Sequence, residues 1–175
     1  SLIVDPHGEI LAELGNQEFA IADTSEAFAV AGYPPGQGFV AVGRVSQGAT
    51  TKALVVRLSE PGQVTWSLGL TEPAASDAEF RAVALTGNDI IAVGELVFGG
   101  TPQLYVARVG TDGKDVWRKV LTPFAASHNG GVAVGGSAIF IAAWGALDGN
   151  DVGIVVLDMF GNEQNTAKTA APGDQ

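Results

Sequence analysis

A chain of 175 residues and 17.8 kDa is long enough for one domain with its own hydrophobic core, or for a stretch of a repeat array. It has no cysteine, which excludes thiol catalysis, Cys-ligated zinc and a disulfide frame, and its 46% hydrophobic content with a mean hydropathy of +0.24 excludes a disordered chain. Nineteen acidic against nine basic residues leave a net charge of −10, which repels phosphate backbones and anionic lipid and excludes nucleic acid and membrane surfaces as partners.

No targeting segment is visible, because the first basic residue is Arg44. Ser1 is not a natural start, so the expectation is that a preceding segment has been removed. In chain order, LIV and EILAEL around Gly8 read as two short strands, followed by the apolar runs AFAVAG (27–32) and FVAVG (39–43). The clearest unit comes next. FRAVAL (80–85) is closed by Thr86, Gly87, Asn88 and Asp89, the residue types of a tight hairpin. IIAVGELVF (90–98) ends at Gly99 and Gly100, QLYVARV (103–109) reaches a turn at Asp112 and Gly113, and KDVWRKVL (114–121) stops before Pro123. A last set holds GGVAVGG (130–136), AIFIAAW (138–144), DVGIVVLDMFGN (151–162) and the polar NEQNTAKT (162–169). AIFIAAW is far shorter than the roughly 18 apolar residues of a membrane span. Val, Ile, Phe, Tyr and Trp dominate these runs, and no stretch has helical periodicity. Near-continuous apolar runs imply strands covered on both faces. The glycines and alanines within them imply closely packed sheets.

The runs repeat. Shifting residues 39–71 by 51 positions brings eleven residues onto the same type at 90–122, including Gly43 on Gly94, Arg57 on Arg108, Gly62 on Gly113 and Trp66 on Trp117. Chance would supply about two or three. The turn glycine recurs at Gly8, Gly62, Gly113 and Gly161, at spacings of 54, 51 and 48. Four short antiparallel strands in each of these periods predict an all-β fold, a β-propeller or partial propeller of four-stranded blades. Residues 27–70, 78–122 and 129–169 read as three blades and 1–15 as the outer half of another. With roughly 4–8 blades in a closed ring, about three and a half predict a fragment of a longer propeller or a ring completed by another copy.

The segments carrying Val106, Ala107, Arg108, Asp112, Gly113 and Trp117, and their counterparts Val55, Arg57, Gly62 and Trp66, resemble repeats of bacterial extracytoplasmic propellers of the seven-bladed type. Their glycine-to-tryptophan spacing is similar to that of pyrroloquinoline-quinone enzyme-type repeats. That resemblance implies that the Trp docks adjacent blades, and it places the protein outside the cytoplasm: secreted, periplasmic or at the cell surface. The chain departs from two other propeller signatures. It has no Trp-Asp dipeptide, and Pro61 stands where a sialidase-type box needs Asp. Asn165 occupies the expected Trp position of the last unit.

Trp66 and Trp117 are expected in inter-blade packing. Trp144, which breaks the pattern, is the better ligand-stacking candidate. Arg57 and Arg108 are expected to reach water or pair with carboxylates. Asp148, Asn150 and Asp151 could offer oxygens to a hard cation, yet Asp, Gly and Asn are also the standard turn residues, the reading that also fits Gly87, Asn88, Asp89, Asp112 and Gly113. His7 and His128 belong to no metal-ligand spacing, and Ser127 beside His128 has no nucleophile elbow around it. The sequence therefore assigns no catalytic, metal or cofactor residue. The expected innermost strands AFAVAG, FRAVAL and GGVAVGG carry Arg81 as their sole charge, which counts against a catalytic centre. The leading expectation is a non-enzymatic scaffold that binds a protein or glycan partner through loops such as 33–37, on the rule that recognition sits in loops held by a rigid frame. The alternative is a portion of a propeller enzyme, a quinoprotein-like dehydrogenase or glycoside hydrolase, whose catalytic residues lie in other blades. Self-association that covers open blade faces is a third expectation.

Overall fold

The computed structural model describes residues 2–4, 10–13, 24–60, 62–125, 127–145 and 152–169. The described residues form strands and turns with no helix. Strands β1 (Leu2–Val4) and β2 (Ile10–Glu13) pair antiparallel, with Leu2 opposite Glu13. Three four-stranded antiparallel sheets follow, each in sequence order. The first blade holds β3 (Thr24–Gly32), β4 (Phe39–Gln47), β5 (Thr50–Leu58) and β6 (Val64–Leu70). The second holds β7 (Asp77–Thr86), β8 (Asp89–Phe98), β9 (Thr101–Gly110) and β10 (Asp115–Ala125). The third holds β11 (Ser127–Gly135), β12 (Ala138–Gly145), β13 (Val152–Asp158) and β14 (Glu163–Thr169).

Side chains alternate between the faces of a strand, so a run that is apolar at every position arms both faces of its sheet. The second blade uses both. Ile90, Ala92, Tyr105, Ala107 and Val109 pack with Val40, Val42, Ala53 and Val55 of the first blade. Ile91, Val93, Leu104 and Val106 pack with Ile139, Ile141, Val155 and Leu157 of the third. Nearly all are fully buried, and each such Val, Ile or Leu contributes about 1.5–3 kcal/mol relative to exposure. Phe80 and Tyr105 stack within the first of these layers, with centroids 5.3 Å apart.

Two features differ from the sequence expectation. The inner strands begin at Thr24, Asp77 and Ser127, three residues ahead of their apolar runs, so Glu26, Asp77 and Glu79 join Arg81 as charges on inner strands. Each inner strand also bulges against its neighbour, between Ala27 and Ala29, Phe80 and Ala82, and Asn129 and Gly131. The glycine facing the second bulge serves its own sheet rather than sheet-to-sheet contact: a Cβ on Gly94 would lie 1.9 Å from the Glu79 carbonyl oxygen.

Candidate functional site

The outer hairpins β5–β6, β9–β10 and β13–β14 close with the same hydrogen bonds. The fourth-position glycine N–H donates to the first residue's carbonyl (Gly62 to Ser59, 2.8 Å; Gly113 to Gly110, 2.9 Å; Gly161 to Asp158, 3.0 Å). The φ values of these glycines, 84°, 82° and 78°, lie in the left-handed region that glycine enters without strain. Gly113 is also the platform for Trp66, whose ring would lie 2.9 Å from a Cβ there, while Trp66 Nε1 donates to the Thr111 carbonyl at 3.0 Å. One junction on, Trp117 lies over Gly161 and donates to the Met159 carbonyl at 3.0 Å. Each tryptophan thus docks its blade onto the next blade's turn, as the repeat implies.

The two repeated arginines part company. Arg108 donates from Nε and Nη2 to Asp89 Oδ2, at 2.9 and 2.5 Å, and from Nη1 to the Met159 carbonyl at 2.5 Å. Asp89, read from sequence as a turn residue, is therefore the clamp of this arginine. Strands β7 and β8 are joined by Gly87 and Asn88, and β11 and β12 by Gly136 and Ser137, but β3 and β4 are joined by the six residues 33–38. In repeat register Gly38 stands where Asp89 does. Among the described residues Arg57 consequently has no carboxylate within ion-pair distance. It lies 3.8 Å from the Tyr33 ring centroid and donates to the Gln37 carbonyl at 2.7 Å. Among the described residues the buried Tyr33 hydroxyl has no hydrogen-bond partner; burial raises its pKa, and the nearby Arg57 cation opposes that rise.

This longer loop opens a cleft of about 500 Å³ between the first two blades, lined by Gly36, Gln37, Arg57, Ser59, Glu60, Thr65, Trp66, Thr111 and Asp112. Glu60 Oε1 accepts from Gly36 N at 3.2 Å. Asp112 accepts from Lys114 Nζ at 2.6 Å, and hydrogen bonds from Lys114 hold its carboxyl below the usual range.

A second recess, about 220 Å³, lies at the chain-entry end of the inner strands. Arg44 pairs with Glu26 at 2.8 Å and with Glu79 at 3.6 Å, and Arg81 pairs with Glu79 at 2.5 Å and reaches Glu95 at 4.0 Å. The bulge residue Phe28 lies under both cations, 5.7 Å from Arg44 and 5.0 Å from Arg81. Glu79 and Glu95 are 7% and 8% exposed, a burial made tolerable by these cations. Asp77 Oδ1 is buried there, without a hydrogen-bond partner among the described residues.

Trp144 lies on β12 and is half-exposed. His7, Asp148, Asn150 and Asp151 fall outside the described residues, as do the side chains of Ser127 and His128. Asn88 accepts from Thr111 N through its carbonyl, at 3.3 Å. Among the described residues no group of three or more His, Asp or Glu could hold a metal ion.

Together, three stacked four-stranded blades docked by outer-strand tryptophans define a partial β-propeller. No protein-family model and no curated protein matches the chain. Among solved structures its fold is similar to that of a europium-containing methanol dehydrogenase, with a TM-score of 0.51 and 15% identity. The match covers 86% of this chain and 27% of the dehydrogenase, so the chain spans about a quarter of that protein's length.

Proposed function

We propose that the chain is a non-enzymatic propeller scaffold of a secreted or cell-envelope protein, and that its cleft between the first and second blades binds a neutral glycan. One observation carries this reading: the repeat is broken where the cleft opens. The 33–38 loop takes the place of a tight hairpin, removes the clamping carboxylate from Arg57 and leaves an aromatic ring beside mixed donors and acceptors. A pyranose offers that combination its match, an apolar C–H face for Trp66 and hydroxyls for Arg57, Glu60 and Gln37. Glu60 and Asp112 in the cleft, with a net charge of −10, disfavour an anionic glycan.

Titration calorimetry of the purified chain with cellohexaose and maltohexaose, and with polygalacturonate as the charged contrast, tests the proposal. A saturable isotherm is expected for a neutral hexamer, weakened about tenfold by Arg57→Ala or Glu60→Ala, the value of one hydrogen bond to a charged group. No heat with either neutral sugar at millimolar concentration contradicts it. The second reading, a portion of a propeller enzyme, is favoured by the carboxylates that the lengthened inner strands bring to the entry-end recess. Dye-coupled alcohol oxidation or glycoside hydrolysis by a protein that carries this chain together with further blades would support that reading instead.

A further inference from the structure

The second and third blades meet at a junction built like that of the cleft, with its chemistry reversed. Trp117 docks on Gly161 as Trp66 docks on Gly113, so the residues that line the cleft have counterparts one blade on. In repeat register Glu60 corresponds to Thr111, Thr65 to Val116, Thr111 to Met159 and Asp112 to Phe160. Uncharged residues thus replace both carboxylates of the cleft. Val116 and Phe160 are 52% and 75% exposed. Arg108, the counterpart of Arg57, spends its donors on Asp89 and the Met159 carbonyl.

The backbone fixes where both apolar side chains stand. Val116 is the bulge residue of β10, between Asp115 and Trp117, as Thr65 is of β6, between Val64 and Trp66. Phe160 is the third residue of a turn held by Asp158, which accepts from Phe160 N at 2.9 Å, Asn162 N at 2.8 Å and Asn162 Nδ2 at 3.0 Å. These two positions stay open when a blade follows. Thr65 in the first blade and Asp112 in the second are exposed, although each of those blades has the next packed against it.

The β9–β10 hairpin divides the two junctions. Thr111 and Asp112 line the cleft on one flank, and Trp117 reaches the third blade on the other. Packed sheets lie about 10 Å apart, a step too long for one sugar ring and within reach of a short oligosaccharide. Two apolar side chains are too little for a protein interface, which takes about 800 Å² from each partner. They suit the C–H face of a pyranose. We propose that the neutral glycan of the cleft is a chain that crosses this hairpin, hydrogen-bonded beside Arg57 and Glu60 and stacked one blade on against Phe160 and Val116. That length requirement rests on the glycan reading of the cleft.

Titration calorimetry with cellobiose and maltose beside cellohexaose and maltohexaose tests it, with far-UV circular dichroism as the folding control. The preferred hexamer is expected to bind about tenfold tighter than its disaccharide. Phe160→Ser is expected to weaken the hexamer roughly two- to tenfold, the range for an aromatic contact, and Phe160→Ser/Val116→Ser to bring it to the level of the disaccharide. A hexamer bound by the wild type no tighter than its disaccharide, or bound as tightly by the folded double variant as by the wild type, overturns the proposal. If Arg57→Ala still weakens that binding, the cleft reading stands. No binding of any neutral sugar removes the cleft reading and the length requirement with it.

Discussion

Gly113 meets two demands at once, a left-handed backbone and a flat seat for the Trp66 ring. Gly100 meets only the first, with φ of 84° and open space, free of other atoms to 4 Å, where a Cβ would stand. Gly113→Ala should therefore cost about 1–2 kcal/mol of backbone strain plus the displaced indole contact, whereas Gly100→Ala should cost the strain alone. Urea unfolding of the two variants checks the difference; equal losses would mean that the Trp66 dock adds nothing to stability. These docking residues could be read from the sequence because identity recurs at them. The role of Asp89 could not, since a carboxylate beside Gly87 and Asn88 satisfies turn chemistry completely and its partner Arg108 lies on another strand.

At the scale of strands and hairpins, the apolar runs were legible because two-faced burial demands them. The first three residues of the inner strands were not, because Glu26 and Glu79 look like solvated turn positions until Arg44 and Arg81 are seen paired with them. The Asp89–Arg108 clamp ties the second blade's hairpin to its own β9 and, through Met159, to the third blade. Asp89→Ala is expected to destabilise by about 1–3 kcal/mol, the range for a partly buried hydrogen bond to a charged group, measured by the same urea titration. The third blade's outer turn is built on Asp158, which accepts from the backbone N–H groups of Asn162 and Phe160; led by the Asn162 bond, these hold its carboxyl below the usual range. A lowered folded-state pKa gives stability that is complete above the ordinary value of about 4 and is lost as pH falls through the lowered one. The wild type should accordingly lose more of its urea midpoint between pH 5 and pH 3 than Asp158→Ala does; parallel losses would remove the turn from the acid response.

At the scale of the whole molecule, the repeat builds the frame, and on the proposed reading its departures mark where the frame is used. The stacking of blades was legible from the 51-residue register. The cleft was half legible: the 33–37 loop stands out by its length, but the loss of a carboxylate from Arg57 emerges only when the two junctions are superposed in register. Replacing residues 33–38 with Thr-Gly-Asn-Asp, the sequence of 86–89, restores the tight hairpin and the missing carboxylate together. Calorimetry of this graft with the neutral hexasaccharide is the most direct measurement. A folded protein with an unchanged dichroism spectrum and no sugar binding is predicted; a folded graft that binds the sugar as the wild type does would contradict the claim that recognition resides at the broken repeat.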